Sequence, residues 1–525
     1  MKPSIAFLCL GSAAALLPLP AQAEVVLSKV FSPHMVLQRD RPVPIWGKAA
    51  PGEKVAVGFR GQTKSVEADS QGNWRVLLDP LKAGGPDVLT AGSIKVDDVL
   101  VGEVWVGSGQ SNMDMLVKSY TAGDKPLAAL AAGTYPNLRL LSKGANDRWK
   151  QAEPEANENF SALLFSFGVP LQQKLGVPVG LMVGAVGGTP SGFWLTEDMF
   201  RADAACQEQV KQMTPTYDYD GLKKKYDEEK AVYDKEFAAW KLAEAEAKKA
   251  GKEVPRPPRG PQPSGRPGEV NTGKMGQLFE AYIRPYVGYA IRGVLWDQGE
   301  SKTNVACVDQ FHLMGALIKG WRKDWGQDFP FLYVQKPSGG GIAFDPADPM
   351  LAQASKFAPQ PPTVPPLPQA DYSQEMHLRI MQYPNTHMVT STDLGAGIHP
   401  VLKSSYGQRA VRVAMGVAYG AKEEFYGPLF ASHQVEKGRV RISFSHTGKG
   451  LVARQGDKLQ GFLIAGSDQK FQWADAVIDG QSVLVSSANV PEPVAVRYAW
   501  SGQFPWANLF NQDGLPAQPF RTDSW

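Results

Sequence analysis

Chemistry in this chain gathers around one serine. Ser111 stands in Val101-Gly-Glu-Val-Trp-Val-Gly-Ser-Gly-Gln-Ser-Asn-Met113, after an apolar strand-like run and two glycines and ahead of a predicted helix. A hydroxyl in such a turn is exposed and movable, as a nucleophile must be. Its backbone N–H, at the start of the helix, is placed to hold an oxyanion. The position equally suits a plain helix cap, for which serine is a favoured residue. It is not a G-x-S-x-G elbow, because Gly109-Gln-Ser-Asn-Met113 lacks the final glycine. A serine nucleophile needs a base. Of the seven histidines, only His399 follows both a strand end and a flexible turn, Gly395-Ala-Gly397, and Pro400 biases it towards extended backbone. His377 and His387 are its rivals.

Other groups could complete such a site. Gly187-Gly-Thr-Pro190 follows an apolar run from Val179 to Val186, and an N–H of Gly187 or Gly188 could be a second oxyanion donor, or the segment could be a simple tight turn. Gln298 offers a side-chain amide, either as a third donor or as a tie between loops. Gln110 and Asn112 flank the serine as supporting groups. Glu300 reads as a structural acceptor, since a free carboxylate would oppose a negative transition state. Asp393, six residues before His399, either orients the imidazole or caps a turn.

These residues need a scaffold, and the periodicity supplies one. From Val25 to about Val99 the chain alternates apolar and polar residues between turn signals, which predicts a small β-sandwich-like domain over residues 24–98, either structural or carbohydrate-binding. Residues 99–426 alternate strand-like runs with helical stretches, predicting an α/β domain with a parallel sheet and its chemistry at the carboxyl ends of the strands. Residues 203–272 interrupt this pattern. Leu222, Tyr226, Tyr233, Phe237 and Trp240 recur at helical spacing before a proline-rich stretch, so the segment reads as an inserted helical arm and stiff linker, with Lys223-Lys-Lys225 on a solvated face. A second proline-rich loop covers 359–368. Period-two alternation returns over 427–525, a closing β-domain.

Composition narrows the function classes. The chain has 525 residues, room for about three domains at roughly 100–200 residues each. Its 53 glycines and 41 prolines mark a turn-rich globular protein, and a net charge of +3 provides no field suited to nucleic acid. The start, Met1-Lys2, an apolar run to Leu19 and then Ala21-Gln-Ala23, predicts a signal peptide over residues 1–23, hence export to the periplasm or beyond and no membrane insertion after cleavage. Cys206 and Cys307 then remain; an exported compartment permits a disulfide without placing one, and two such distant thiols make no zinc motif.

Four ordered motifs carry a resemblance: Gly102-Glu-Val-Trp105 with Ser108-Gly-Gln-Ser-Asn-Met113; Gly184-Ala-Val-Gly-Gly-Thr189; Gly293-Val-Leu-Trp-Asp-Gln-Gly-Glu300-Ser301; and Asp393-Leu-Gly395 with Ile398-His-Pro400. In this order they resemble the sialate O-acetylesterase family, a branch of the SGNH hydrolases. Met35-Val-Leu-Gln38, Ile45-Trp-Gly47 and Asn508-Leu-Phe-Asn-Gln-Asp-Gly-Leu-Pro516 extend the likeness over nearly the whole mature chain. The resemblance implies a flavodoxin-like SGNH domain that removes acetyl esters from carbohydrate without metal or organic cofactor. The substrate would be acetylated hemicellulose, such as xylan or xyloglucan, or O-acetylated sialic acid, and the alternative is a non-catalytic glycan-binding protein. The resemblance assigns Ser111 as nucleophile, His399 as base, and Ser111, Gly187, Gly188 and Gln298 to the oxyanion hole. SGNH enzymes typically carry an aspartate three residues before the histidine, where this chain has Ala396. Either Asp393 completes a triad or Ser111 and His399 work as a pair.

Overall fold

A computed structural model describes residues 24–143, 148–336, 338–341, 360–366, 373–395 and 397–525. The predicted signal peptide lies outside the described residues, as does most of residues 342–372.

The molecule is organised by one 16-residue strand, Ile94–Gly109. Its first half pairs antiparallel with Gly84–Ala91 and parallel with Val36–Gln38. Its second half lies in a sheet between Val179–Ala185 and Gly293–Asp297, parallel to both. The boundary expected at residue 98 therefore falls inside a single strand, and the N-terminal β-region and the α/β region share one 11-stranded sheet. A three-stranded sheet, including Val43–Lys48 and Asn73–Leu78, completes the N-terminal layer.

Beyond Gly293–Asp297 the sheet continues in parallel through Phe331–Val334 and Thr386–Val389. Tyr135–Leu141 and then Lys150–Ala152, the latter antiparallel, extend the opposite edge. Counting the five strands from Ile94–Gly109 onward without those edge strands, their spatial order is 2-1-3-4-5. The chain reverses its winding direction between strands 1 and 3, which opens a crevice at their carboxyl ends. Ser111 and Gln298 lie just past those two ends.

Alternation within the strands divides the core. Val104, Val106, Val294 and Trp296 face one side, with Trp194, Trp321 and the N-terminal β-residues. Trp105 and Leu295 face the other, against the helices Ala162–Leu175 and Lys403–Tyr419. A separate cluster, including Val440, Ile442, Phe462 and Tyr498, forms the core of the C-terminal β-region.

The inserted arm is shorter than its sequence signal. Ala204–Met213 packs on the main body, with Cys206 buried and Asp203 paired with Lys319 at 2.8 Å. The arm proper is the 31-residue helix Tyr219–Lys249, which buries no side chain completely. Tyr233, Phe237 and Trp240 stack in series with centroids 5.5 and 5.3 Å apart, and Trp240 donates to the Pro255 carbonyl at 2.7 Å as the irregular proline-rich segment returns along the helix. Cys206 and Cys307 are both free thiols. Among the described residues no helix is long and apolar enough to cross a membrane.

Candidate active site

The nucleophile turn is held by backbone. Gly109 has φ +126°, and a β-carbon there would lie 2.1 Å from the Asp297 carbonyl oxygen, so only glycine allows the two strand ends to approach this closely. Gln110 N–H then donates to that carbonyl at 2.8 Å, and Val186 N–H donates to Gly109 O at 3.1 Å. Ser111 opens the short helix Ser111–Asp114, and the cap position belongs to Gln110, whose side chain makes no cap hydrogen bond. The helix-cap alternative for Ser111 is thus displaced by one residue.

His399 meets this turn from the far end of the sequence. Gly395 and Gly397, with φ +90° and +93°, bend the chain after Thr386–Val389, and His399 Nε2 lies 2.8 Å from Ser111 Oγ. The two rivals lie elsewhere. His377 Nδ1 accepts from Lys336 N–H at 3.2 Å, and burial, aided by the Lys336 charge, pushes its pKa down to about 3. His387 Nδ1 pairs with the Tyr426 hydroxyl at 3.1 Å, and burial followed by Arg322 lowers its pKa to about 4.

Three expectations change. Asp393 is buried and its two oxygens accept from Arg409 at 3.2 and 2.9 Å, so the carboxylate anchors the helix Lys403–Tyr419 instead of orienting His399. Gln298 is committed as well. Its amide donates to Lys302 O at 2.9 Å and Thr189 O at 3.4 Å, and its oxygen accepts from Gln310 at 2.9 Å, which makes it a tie between loops and leaves no N–H for an oxyanion. Gly187 N–H is also taken, by Asp114 Oδ2 at 2.9 Å. Gly187 itself borders the nucleophile, since a β-carbon built on it would lie 3.5 Å from that of Ser111. Among the described residues, the N–H groups of Ser111 and Gly188 have no protein acceptor.

Behind the turn lies a buried charged cluster. Lys336 Nζ is 2.7 Å from both Asp297 Oδ1 and Glu300 Oε1. Burial works against the Lys336 charge, but the two carboxylates outweigh it and hold its pKa up. Burial raises that of Asp297, with Lys336 opposing. Glu300 also accepts a hydrogen bond from Asn112 Nδ2 at 3.1 Å. The Gln110 side-chain oxygen accepts from Ser301 N–H at 3.3 Å. Asn112 spans the site: Nδ2 donates to Ile398 O at 2.9 Å, and Oδ1 accepts from Lys403 Nζ at 2.6 Å. Among the described residues no group of three His, Cys, Asp or Glu side chains is arranged to hold a metal ion.

Sequence reading missed Asp114, Lys143, Lys336 and Lys403. Asp114 lies one helical turn from Ser111, and Lys143 pairs with it while donating to Ala185 O at 2.7 Å. Lys403 carried a usable signal, a cation in the first turn of a helix, where the macrodipole disfavours it. Lys336 carried none, because its partners come from distant segments.

No protein-family model matches the chain. It is 28% identical to the sialate O-acetylesterase of Rattus norvegicus over 93% of this chain and 92% of that protein. It is 27% identical to the Homo sapiens sialate O-acetylesterase over 93% of this chain and 90% of that protein. Among solved structures, a carbohydrate acetylesterase from Xanthomonas citri matches with a TM-score of 0.71 and 29% identity, covering 96% of this chain and all of that one.

Proposed function

We propose that the chain is a member of the sialate O-acetylesterase family and an exported serine esterase that removes O-acetyl groups from carbohydrate through an acetyl-serine intermediate, a reading supported by its likeness to sialate O-acetylesterases and to a carbohydrate acetylesterase. The observation that carries this reading is the 2.8 Å contact between His399 Nε2 and Ser111 Oγ at the carboxyl edge of the sheet. The 2-1-3-4-5 strand order supports the flavodoxin-like SGNH architecture.

In the first half-reaction His399 takes the Ser111 proton as Oγ attacks the acetyl carbonyl. The N–H groups of Ser111 and Gly188 receive the developing oxyanion. As the tetrahedral intermediate collapses, His399 gives its proton to the departing sugar oxygen, leaving acetyl on Ser111. Water, deprotonated by the same imidazole, then attacks the acetyl-enzyme; acetate leaves and the serine regains its proton. Because Asp393 is committed to Arg409, the unit works as a Ser111–His399 pair. The leader at residues 1–23 supports export.

Near-neutral charge favours a neutral acetylated polysaccharide, xylan or xyloglucan, over an anionic sialate. Acetate release from matched panels of acetylated hemicellulose oligomers and O-acetylated sialic acids tests this. Faster turnover on the neutral oligomers is expected. Preference for the sialates would reverse the substrate assignment, and no release from any ester would favour a glycan-binding protein instead.

A further inference from the structure

Lys403, a buried lysine beside the nucleophile turn, takes no part in the proton transfers of the reaction. It opens the helix Lys403–Tyr419, four residues after His399, and is only 1% exposed. A buried ammonium is costly unless paired, yet among the described residues no carboxylate lies within ion-pair distance of its Nζ. What faces it instead is the ring of Tyr120 at 4.8 Å, the ring of Tyr406 at 5.1 Å and Asn112 Oδ1 at 2.6 Å. Burial depresses its pKa to about 7 against the pull of Asp297 and Glu300, and either protonation state retains an N–H for the Asn112 oxygen.

Its one hydrogen-bond acceptor among the described residues has a special position. Asn112 directly follows the nucleophile, and its amide nitrogen donates to the carbonyl of Ile398, the residue before the base. Asn112 thereby ties the turn bearing Ser111 to the loop bearing His399. With Lys403 holding the oxygen, the nitrogen is left facing Ile398 O and Glu300. Without it, the buried Oδ1 would lose its only donor among the described residues and the side chain would be free to turn away from the Ile398 carbonyl.

We propose that Lys403 is a positioning residue for the acyl-transfer step, fixing Asn112 so that the His399 loop is held against Ser111. The proposal rests on the Ser111–His399 reading above. Displacement of a reacting group by about 1 Å can cost on the order of 10²-fold in rate, so Lys403→Met should lower kcat by about 10- to 100-fold with KM changed by less than about threefold.

The test is steady-state hydrolysis of 4-nitrophenyl acetate by wild type, Ser111→Ala, Lys403→Met, Asn112→Ala and the Lys403→Met/Asn112→Ala double variant, each with a thermal melt. If Lys403 acts through Asn112, the double variant should be no slower than Asn112→Ala alone. Wild-type kcat in Lys403→Met, or losses that multiply in the double variant, would overturn the proposal. Should Lys403→Met not fold, Asn112→Asp decides. Its carboxylate still accepts from Lys403 but cannot donate to Ile398 O, so kcat should fall by a similar factor, and wild-type kcat would overturn the relay. Activity retained in Ser111→Ala would instead mark failure of the underlying functional reading.

Discussion

At the scale of single residues, Asp393 shows how a plausible partner can be claimed by a stronger one. It stands close before His399 in sequence, but Arg409, one helix later, presents a two-pronged donor to it in the interior. A planar guanidinium matches both carboxylate oxygens at once. Removing one member of a buried ion pair typically costs about 3–5 kcal/mol, so Asp393→Ala should lower the denaturation midpoint markedly. The folded fraction should keep an unmoved acidic limb in its activity–pH profile, because His399 does not depend on that carboxylate. A stable variant with activity reduced by about 10⁴-fold would restore the triad. Ser111 and His399 were legible in the sequence because strand ends and glycine turns announce exposed, adjustable positions. The commitments of Gln298 and Asp393 were not, since each is set by partners that only folding brings near: the Thr189 carbonyl and Gln310 for the first, Arg409 for the second.

At the scale of elements, periodicity located what it could and blurred where elements share residues. The alternation of strands and helices expected over residues 99–426 includes the apolar helix Ala162–Leu175, whereas the strand Ile94–Gly109 fuses two regions that composition alone separates. A strand that leaves one sheet environment for another keeps the same period, so no local signal marks the boundary. The arm is the clearest independent unit. Its helix, Tyr219–Lys249, buries its aromatic row partly under its own proline-rich return segment and is tied along its length by exposed Lys–Asp and Lys–Glu pairs at i,i+4, such as Lys223–Asp227 and Lys225–Glu229. Such solvent-screened pairs contribute little to stability, and the site lies elsewhere. Excising residues 220–263 with a short flexible bridge should leave 4-nitrophenyl acetate turnover within about twofold of wild type. Loss of soluble protein would show that the arm supports the main body.

At the scale of the whole molecule, the C-terminal β-region braces the carboxyl edge of the sheet. Gln518 accepts from Gln335 at 2.6 Å, Gln335 accepts from Ser391 N–H at 3.2 Å, and Asn511 donates to Tyr426 O at 2.9 Å. His377 and His387 lie in the same neighbourhood and are kept neutral by burial, with pKa values near 3 and 4 against an ordinary 6.5. The unfolded chain therefore binds more protons at these sites between pH 6.5 and about 4, so the stability they contribute at neutral pH is lost as pH falls through that window. Urea midpoints measured from pH 7 to 4 should decline, and more shallowly in His387→Asn than in wild type. An equal slope in both would remove His387 from the acid response.

Trapping the acyl-enzyme tests the central claim most directly. Wild-type protein mixed with 4-nitrophenyl acetate, quenched in acid before turnover is complete and digested for mass spectrometry should carry one acetyl group on the peptide containing Ser111. Ser111→Ala should carry none there and release no acetate above background. Acetate release by Ser111→Ala, or an acetyl group on a different residue of a turning-over wild-type enzyme, would contradict the assignment of Ser111 and His399 as the reacting pair.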